Sequence, residues 1–128
     1  MSEDKKEIII AEDDKQIREL YATAFLMEGF HVVEAGNGKE VLNYLKDNRG
    51  KIKAILLDIV LPKVDGFEVL EKMGKDEEYK KIPVYVITNL ENDNDKRTAL
   101  GLGAKEYFKK VDWTPKRLAE KIKGLCGE

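Results

Sequence analysis

Little in this sequence speaks for a disulfide, a transition-metal centre or a membrane. Cys126 is the sole cysteine among 128 residues, which excludes an internal disulfide and a cysteine-rich zinc site and suits a reducing cytoplasm. His31 is the only histidine, so a multi-histidine metal site or a Ser-His-Asp triad would have to be built on a residue that opens its strand at the surface. No sign of charge dominates: 23 basic against 25 acidic residues leave a net charge of -2. Neither a basic stripe nor an acidic tail points to nucleic acid or an anionic membrane as a partner. Met1 to Glu7 is charged and lacks the apolar core of a signal peptide, and no run approaches a membrane span. Internal repeats, low-complexity tracts and linkers are also missing. What remains is the expectation of one compact cytoplasmic domain over residues 1–128, large enough for a single core and too short for two ordinary ones.

What is present is an alternation. Apolar runs of about four residues are separated by longer segments of helical period, the pattern of βα units around a parallel sheet. Strands are predicted at residues 7–11, 31–34, 54–57, 84–88 and 106–108. The first, third and fourth are almost wholly apolar, as strands covered on both faces are, and are expected at the centre. Between the first two, Ile17, Leu20, Tyr21, Ala24 and Met27 recur at helical spacing, with Asp14 as N-cap and Gly29 as the left-handed residue at the far end. A second helix is predicted over residues 39–47, behind the turn Asn37-Gly38, with Val41, Leu42 and Leu45 inward. A third covers residues 66–74 with Phe67, Val69, Leu70 and Met73 apolar, and a fourth residues 93–102 with a thin stripe of Ala99, Leu100 and Leu102. Thr114-Pro115, a cap followed by proline at the first helical position, opens a fifth helix that buries Leu118, Ile122 and Leu125. The fold class expected is α/β: a doubly wound five-stranded parallel sheet with five helices, in the flavodoxin-like order 2-1-3-4-5.

In that order the first and third strands are neighbours at the topological switch point, and ligands bind beyond the carboxyl ends of the strands there. Glu12 and Asp13 end the first strand and Asp58 ends the third, so three carboxylates are expected to meet; Asp14, beside them, reads as a helix cap. Three such groups repel, and each pKa rises unless a cation joins them. An oxygen-only donor set with positions left for water or phosphate suits Mg²⁺ better than zinc. Thr88 at the next strand end offers a hydroxyl and Lys110, after the fifth strand, an ammonium, both suited to a phosphate oxygen. A nucleophilic carboxylate surrounded by Mg²⁺, a lysine and a hydroxyl is what formation of an aspartyl-phosphate requires.

The segments Ile8-Ile9-Ile10-Ala11-Glu12-Asp13, Leu56-Leu57-Asp58-Ile59-Val60-Leu61-Pro62-Lys63-Val64-Asp65-Gly66, Pro83-Val84-Tyr85-Val86-Ile87-Thr88 and Gly103-Ala104-Lys105-Glu106-Tyr107-Phe108-Lys109-Lys110 carry the likeness to a family. With them the chain resembles the receiver domain of two-component response regulators, chemotaxis-regulator-like, over essentially all of its length. The resemblance implies Asp58 as phosphoacceptor, Asp13 as direct Mg²⁺ ligand, Glu12 acting mostly through a metal-bound water, and the carbonyl of Val60 completing the protein ligands. Thr88 and Lys110 would bind the phosphoryl group. Alternation alone does not choose between Lys109 and Lys110; the family spacing from Gly103-Ala104 selects Lys110. Tyr107, by itself a packed or rim tyrosine, resembles the switch aromatic that turns inward when Thr88 moves toward the phosphate. The implied partners are a histidine kinase or phosphotransfer protein as donor and a downstream protein recruited by the fourth helix, fifth strand and fifth helix. Neither nucleic acid nor membrane is bound directly, and the state implied is a monomer or a weak phosphorylation-dependent dimer.

Three positions depart from the family pattern. Glu12 replaces the commoner Asp, Asn89 stands where a small residue usually follows the threonine, and Val111 follows Lys110 where proline is usual, so a cis peptide is not implied there. Val60 and Leu90, two positions beyond Asp58 and Thr88, are apolar and are expected to hinder a hydrolytic water. A phosphohydrolase of the haloacid-dehalogenase kind would need a second Asp two residues after the nucleophile, where Val60 stands. An unphosphorylated receiver-like module would have no need of Glu12, Asp13, Asp58, Thr88 and Lys110 together. A stand-alone regulator and a receiver from a longer protein both remain open.

Overall fold

Apolar runs too short for a helix and hydrophobic throughout are stable as strands covered on both faces. The computed structural model, which describes residues 6–48, 50–90 and 92–126, contains five of them: β1 (Glu7–Ala11), β2 (His31–Ala35), β3 (Ile52–Leu57), β4 (Val84–Thr88) and β5 (Glu106–Lys109). All pairings are parallel and the order is β2-β1-β3-β4-β5, the doubly wound arrangement expected. Alternate residues of the central strands feed two cores. Ile9, Ala11, Ile55, Leu57 and Val86 meet Val41 and Leu45 of α2 (Gly38–Asp47), Val69 and Leu70 of α3 (Gly66–Gly74) and Ala99 of α4 (Asp93–Gly101). Ile8, Ile10, Leu56, Tyr85 and Ile87 meet Tyr21 and Phe25 of α1 (Lys15–Met27) and Leu118 and Ile122 of α5 (Pro115–Leu125).

Every one of these helices starts behind a side-chain cap. Asp14 accepts from the N–H of Ile17, Asn37 from Glu40, Asp65 from Glu68, Asn92 from Asn94 and Thr114 from Arg117. Each cap contributes about 1 kcal/mol. Together they gather the five strand-to-helix loops at the carboxyl edge of the sheet, the edge that matters below. At the opposite edge Gly29 adopts φ +94° and lets the N–H of Phe30 return to the carbonyl of Phe25 at 3.1 Å, as expected for a left-handed helix end. Among the described residues no helix is long and apolar enough to cross a membrane.

The structure departs from the sequence reading at three strand ends and on the buried faces of two helices. Strand β2 runs on to Ala35, β3 starts at Ile52 and β5 ends at Lys109. The third strand begins early because Ile52 pairs with Glu7 across a register shift, although exposed Lys53 interrupts the apolar run. In α1 the buried residues are Tyr21, Ala22 and Phe25, whereas Leu20 and Met27 are 60% and 81% exposed. The inward row is Ile17-Tyr21-Phe25 at four-residue spacing, so positions 20 and 27 fall on its flank. In α4 only Ala99 is buried and Leu100 is exposed, so the thin stripe is thinner still.

Tyr85 has no exposed surface and its hydroxyl lies 3.9 Å from Cys126 Sγ. Burial, then the neighbouring Cys126, push its phenol above the ordinary 10.0. A raised folded-state value means that stability is complete below pH 10.0 and is lost as the pH climbs through the folded value. Tyr85→Phe is therefore expected to shift the alkaline unfolding midpoint upward, read by circular dichroism beside phenolate absorbance; an unchanged midpoint would count against this coupling.

Candidate functional site

Strand register brings the acids together. Ala11 of β1 is level with Leu57 of β3, and the next N–H, that of Asp58, donates to the Ala11 carbonyl at 3.0 Å. Glu12 in turn donates its N–H to Ala35 at the end of β2, at 3.0 Å. Both carboxylates are thus delivered by backbone pairing to the carboxyl edge, and both are nearly sealed: Glu12 is 3% and Asp58 4% exposed. Thr88, at the end of β4, is 1% exposed.

Lys110 is the cation that reaches them. The chain leaves β5 in a single 3-10 turn, Lys110–Asp112, behind a trans peptide to Val111. The ammonium of Lys110 donates to Glu12 Oε1 at 2.5 Å and to Asp58 Oδ2 at 2.7 Å. The remaining oxygens are also engaged. Asp58 Oδ1 accepts from the N–H of Val60 at 3.0 Å and Glu12 Oε2 from the N–H of Asp14 at 3.1 Å. Burial raises the Glu12 carboxyl above its ordinary value; the Lys110 and Asp14 hydrogen bonds oppose this, and the charge of Asp58 adds to it. Burial also pulls the Lys110 ammonium down, but its hydrogen bonds to Asp58 and Glu12 outweigh that and hold it above the usual lysine range. The asymmetry is physical: the lysine gains from two carboxylates, while two carboxylates share one lysine.

Glu12, Asp13, Asp58, Thr88 and Lys110 line one open cleft of about 390 Å³, with Val60, Asn89 and Leu90 also on its wall. Asp13 is exposed. Among the described residues no three His, Cys, Asp or Glu side chains are gathered closely enough to hold a metal ion as they stand, although Glu12, Asp13 and Asp58 line the same cleft. Lys110 bridges Glu12 and Asp58, and Asp13 lines the cleft beside them. Tyr107 is half-buried and donates its hydroxyl to the Leu90 carbonyl at 3.0 Å. The Leu90 N–H makes a long contact of 3.4 Å to Thr88 Oγ1. Thr88 and Tyr107 are thus joined through one residue of the β4–α4 loop. Burial raises the phenol of Tyr107, with Asp95 and Asp58 adding to the effect.

Residues 8–123 match the response regulator receiver domain. The chain belongs to that family. Response regulator receiver domains serve two-component signalling and interact with histidine kinases or phosphotransfer proteins. A probable transcriptional regulator of Guillardia theta, ycf27, is 33% identical to this receiver domain over 123 residues, 96% of this chain and 46% of that protein. The chain spans about half the length of the curated relatives it matches. Two solved structures share the architecture. The phosphorylated cyanobacterial phytochrome response regulator RcpA has 31% identity and a TM-score of 0.81, over 94% of this chain and 91% of its own. The Mn²⁺-bound response regulator Rcp1 has 28% identity and a TM-score of 0.79, again over 94% and 91%.

Two features of the site were not found by sequence reasoning. Arg18 reaches the Glu12 carbonyl from α1, and Gly38 and Gly66 abut the loop that follows Asp58. Arg18 carried no signal because it reads as one more charged residue on a solvated helix face.

Proposed function

We propose that this receiver domain accepts a phosphoryl group on Asp58 from a histidine kinase or phosphotransfer protein and passes the signal on through its α4, β5 and α5 face. The observation that carries this reading is the Lys110 ammonium held against Asp58 and Glu12 in a cleft that Thr88 also lines. In the reaction an Asp58 oxygen forms a bond to phosphorus as the bond to the donor's nitrogen or oxygen breaks, the leaving group keeping that electron pair. Lys110, already bonded to Asp58, is in reach of the incoming phosphoryl oxygens, and the Thr88 hydroxyl can donate to another. Both oxygens of the buried Asp58 are held in place, Oδ2 by Lys110 and Oδ1 by the Val60 N–H.

The donors fit Mg²⁺. Three carboxylates face one ammonium around the cleft, an excess of two negative charges, and every available donor is oxygen. Asp13, Asp58 and the Val60 carbonyl would hold the ion, with Glu12 acting through a bound water; its chemistry is to offset charge on the transferring phosphoryl group. That a related regulator is described in a Mn²⁺-bound form and another as phosphorylated supports both halves of the reading. Once the Thr88 hydroxyl is drawn to the phosphoryl group, the Leu90 peptide and the Tyr107 hydroxyl bonded to it respond together, which biases the α4–β5 surface. The test is incubation with Mg²⁺ and acetyl phosphate followed by intact mass. One phosphoryl adduct per chain is expected; its absence overturns the reading, and turnover of phosphomonoesters would favour a hydrolase.

The apolar Val60 and Leu90 on the cleft wall would hinder a hydrolytic water and offer it no side-chain hydrogen bond of their own. Leu90→Glu is expected to shorten the adduct lifetime by about tenfold, since a carboxylate there can orient the water. Loss of adduct mass over time reads this directly, and equal decay in both proteins would remove the steric argument.

A further inference from the structure

Glu12, Asp58 and Lys110 fix one another through their side chains; Asp13 has no such tether. Its carboxylate is exposed and makes no hydrogen bond or ion pair among the described residues. Its direction is set by the backbone that carries it, foremost by the Glu12–Asp13 peptide. The oxygen of that peptide, the Glu12 carbonyl, accepts from Arg18 Nη1 at 2.9 Å. The same guanidinium donates through Nε to Glu34 Oε1 of β2 at 3.0 Å, and the Arg18 side chain is only 17% exposed. Gly36, just past β2, leaves room for it: a methyl group there would stand 3.3 Å from Nη1. The arrangement suits arginine, whose rigid planar fork aims Nε and Nη1 at two acceptors in fixed directions, where a lysine would present one rotatable ammonium on a flexible stem. The Arg18–Glu34 pair is neutral overall, so what it supplies to the cleft is geometry.

We propose that Arg18 is a positioning residue for the divalent cation, tying the Glu12–Asp13 peptide to edge strand β2 so that the Asp13 carboxylate is aimed into the cleft it shares with Asp58. This rests on the reading of Asp13 and Asp58 as Mg²⁺ ligands. Arg18 touches no reacting atom. Residues that orient metal ligands from outside the coordination sphere change metal affinity by about 10–100-fold when removed.

The experiment is calorimetric titration of Mg²⁺ alone into the wild type, Arg18→Ala, Arg18→Lys and Glu34→Ala, beside the initial rate of phosphoryl uptake from acetyl phosphate across Mg²⁺ concentrations. Arg18→Ala is expected to bind Mg²⁺ about tenfold more weakly and to need correspondingly more Mg²⁺ for half-maximal rate, with the rate at saturation held within about twofold. Arg18→Lys and Glu34→Ala fall between. Glu34→Ala keeps the guanidinium and frees it from β2, so it carries the test if Arg18→Ala does not fold. Unchanged Mg²⁺ affinity in the folded variants, with only a lower melting temperature, overturns the proposal. So does a lower saturated rate without a shift in Mg²⁺ dependence. A wild type that binds Mg²⁺ but takes up no phosphoryl group removes the phosphoacceptor reading while the calorimetry still decides for Arg18; a wild type that binds no Mg²⁺ overturns both.

Discussion

Asp58→Asn is expected to take up no phosphoryl group from acetyl phosphate under conditions that convert the wild type, and to remain folded while failing. The chemical half of this result follows from the nucleophile. An amide oxygen lacks the negative charge that attacks phosphorus, and loss of a nucleophile lowers rates by on the order of 10⁴-fold or more. The structural half follows from the packing around it. Lys110 keeps Glu12 at 2.5 Å, and the asparagine oxygen can still accept from the Val60 N–H that Asp58 Oδ1 now binds. The charge of Asp58 helps to raise the Glu12 carboxyl, so its removal relieves a repulsion as it removes an attraction. The net change in stability is expected within about 1 kcal/mol. Intact mass and a denaturant midpoint measured on the same samples separate the two halves. An adduct on Asp58→Asn would place the phosphoryl group on another residue. Lys110→Ala provides the contrast: two sealed carboxylates would lose their cation, at about 3–5 kcal/mol, so that variant loses stability and function together.

The difference between what was legible in the sequence and what was not follows the reach of each interaction. The caps at Asp14, Asp65 and Thr114, the left-handed Gly29 and the apolar strands are local, and all can be read from a few consecutive residues. The parallel order follows from handedness and length, and it puts Asp58 next to Glu12 before any coordinate is known. Contacts between elements are another matter. Phe25, not Met27, fills the seat on α1 because the sheet meets the helix along the Ile17-Tyr21-Phe25 row, and helical spacing alone admits either choice. Lys110 turns Glu12 and Asp58 toward itself, which a list of acids at strand ends does not reveal. Arg18 spans from α1 to both Glu12 and Glu34, a path across three elements.

Gly38→Ala is expected to destabilise the domain by about 3 kcal/mol, although glycine to alanine at the first turn of a helix ordinarily stabilises. A methyl group on Gly38 would stand 1.9 Å from the Val64 carbonyl oxygen and 2.7 Å from its carbon. Backbone atoms cannot swing aside as a side-chain tip can, so either α2 or the loop after Asp58 must move. That loop has little slack. Val64 N–H bonds back to Pro62 at 2.8 Å across Lys63 at φ +68°, a tight turn in a conformation that already costs a non-glycine residue about 1 kcal/mol. Its far end is held by Gly66, whose N–H donates to Ile59 at 2.8 Å and whose missing side chain would lie 2.7 Å from the Asp58 carbonyl oxygen. The two glycines therefore clamp the segment between Asp58 and α3 from both sides, and a shift forced at Val64 is passed along a stiff turn toward Asp58. Gly74→Ala and Gly101→Ala are the controls, since a methyl group at either position meets nothing within 4 Å, and both should gain up to about 1 kcal/mol. Urea midpoints for the three variants test the packing, and the rate of phosphoryl uptake by Gly38→Ala tests the transmission. A Gly38→Ala domain as stable as the wild type would show that α2 and Val64 are farther apart than described, and the clamp on Asp58 would go with that contact.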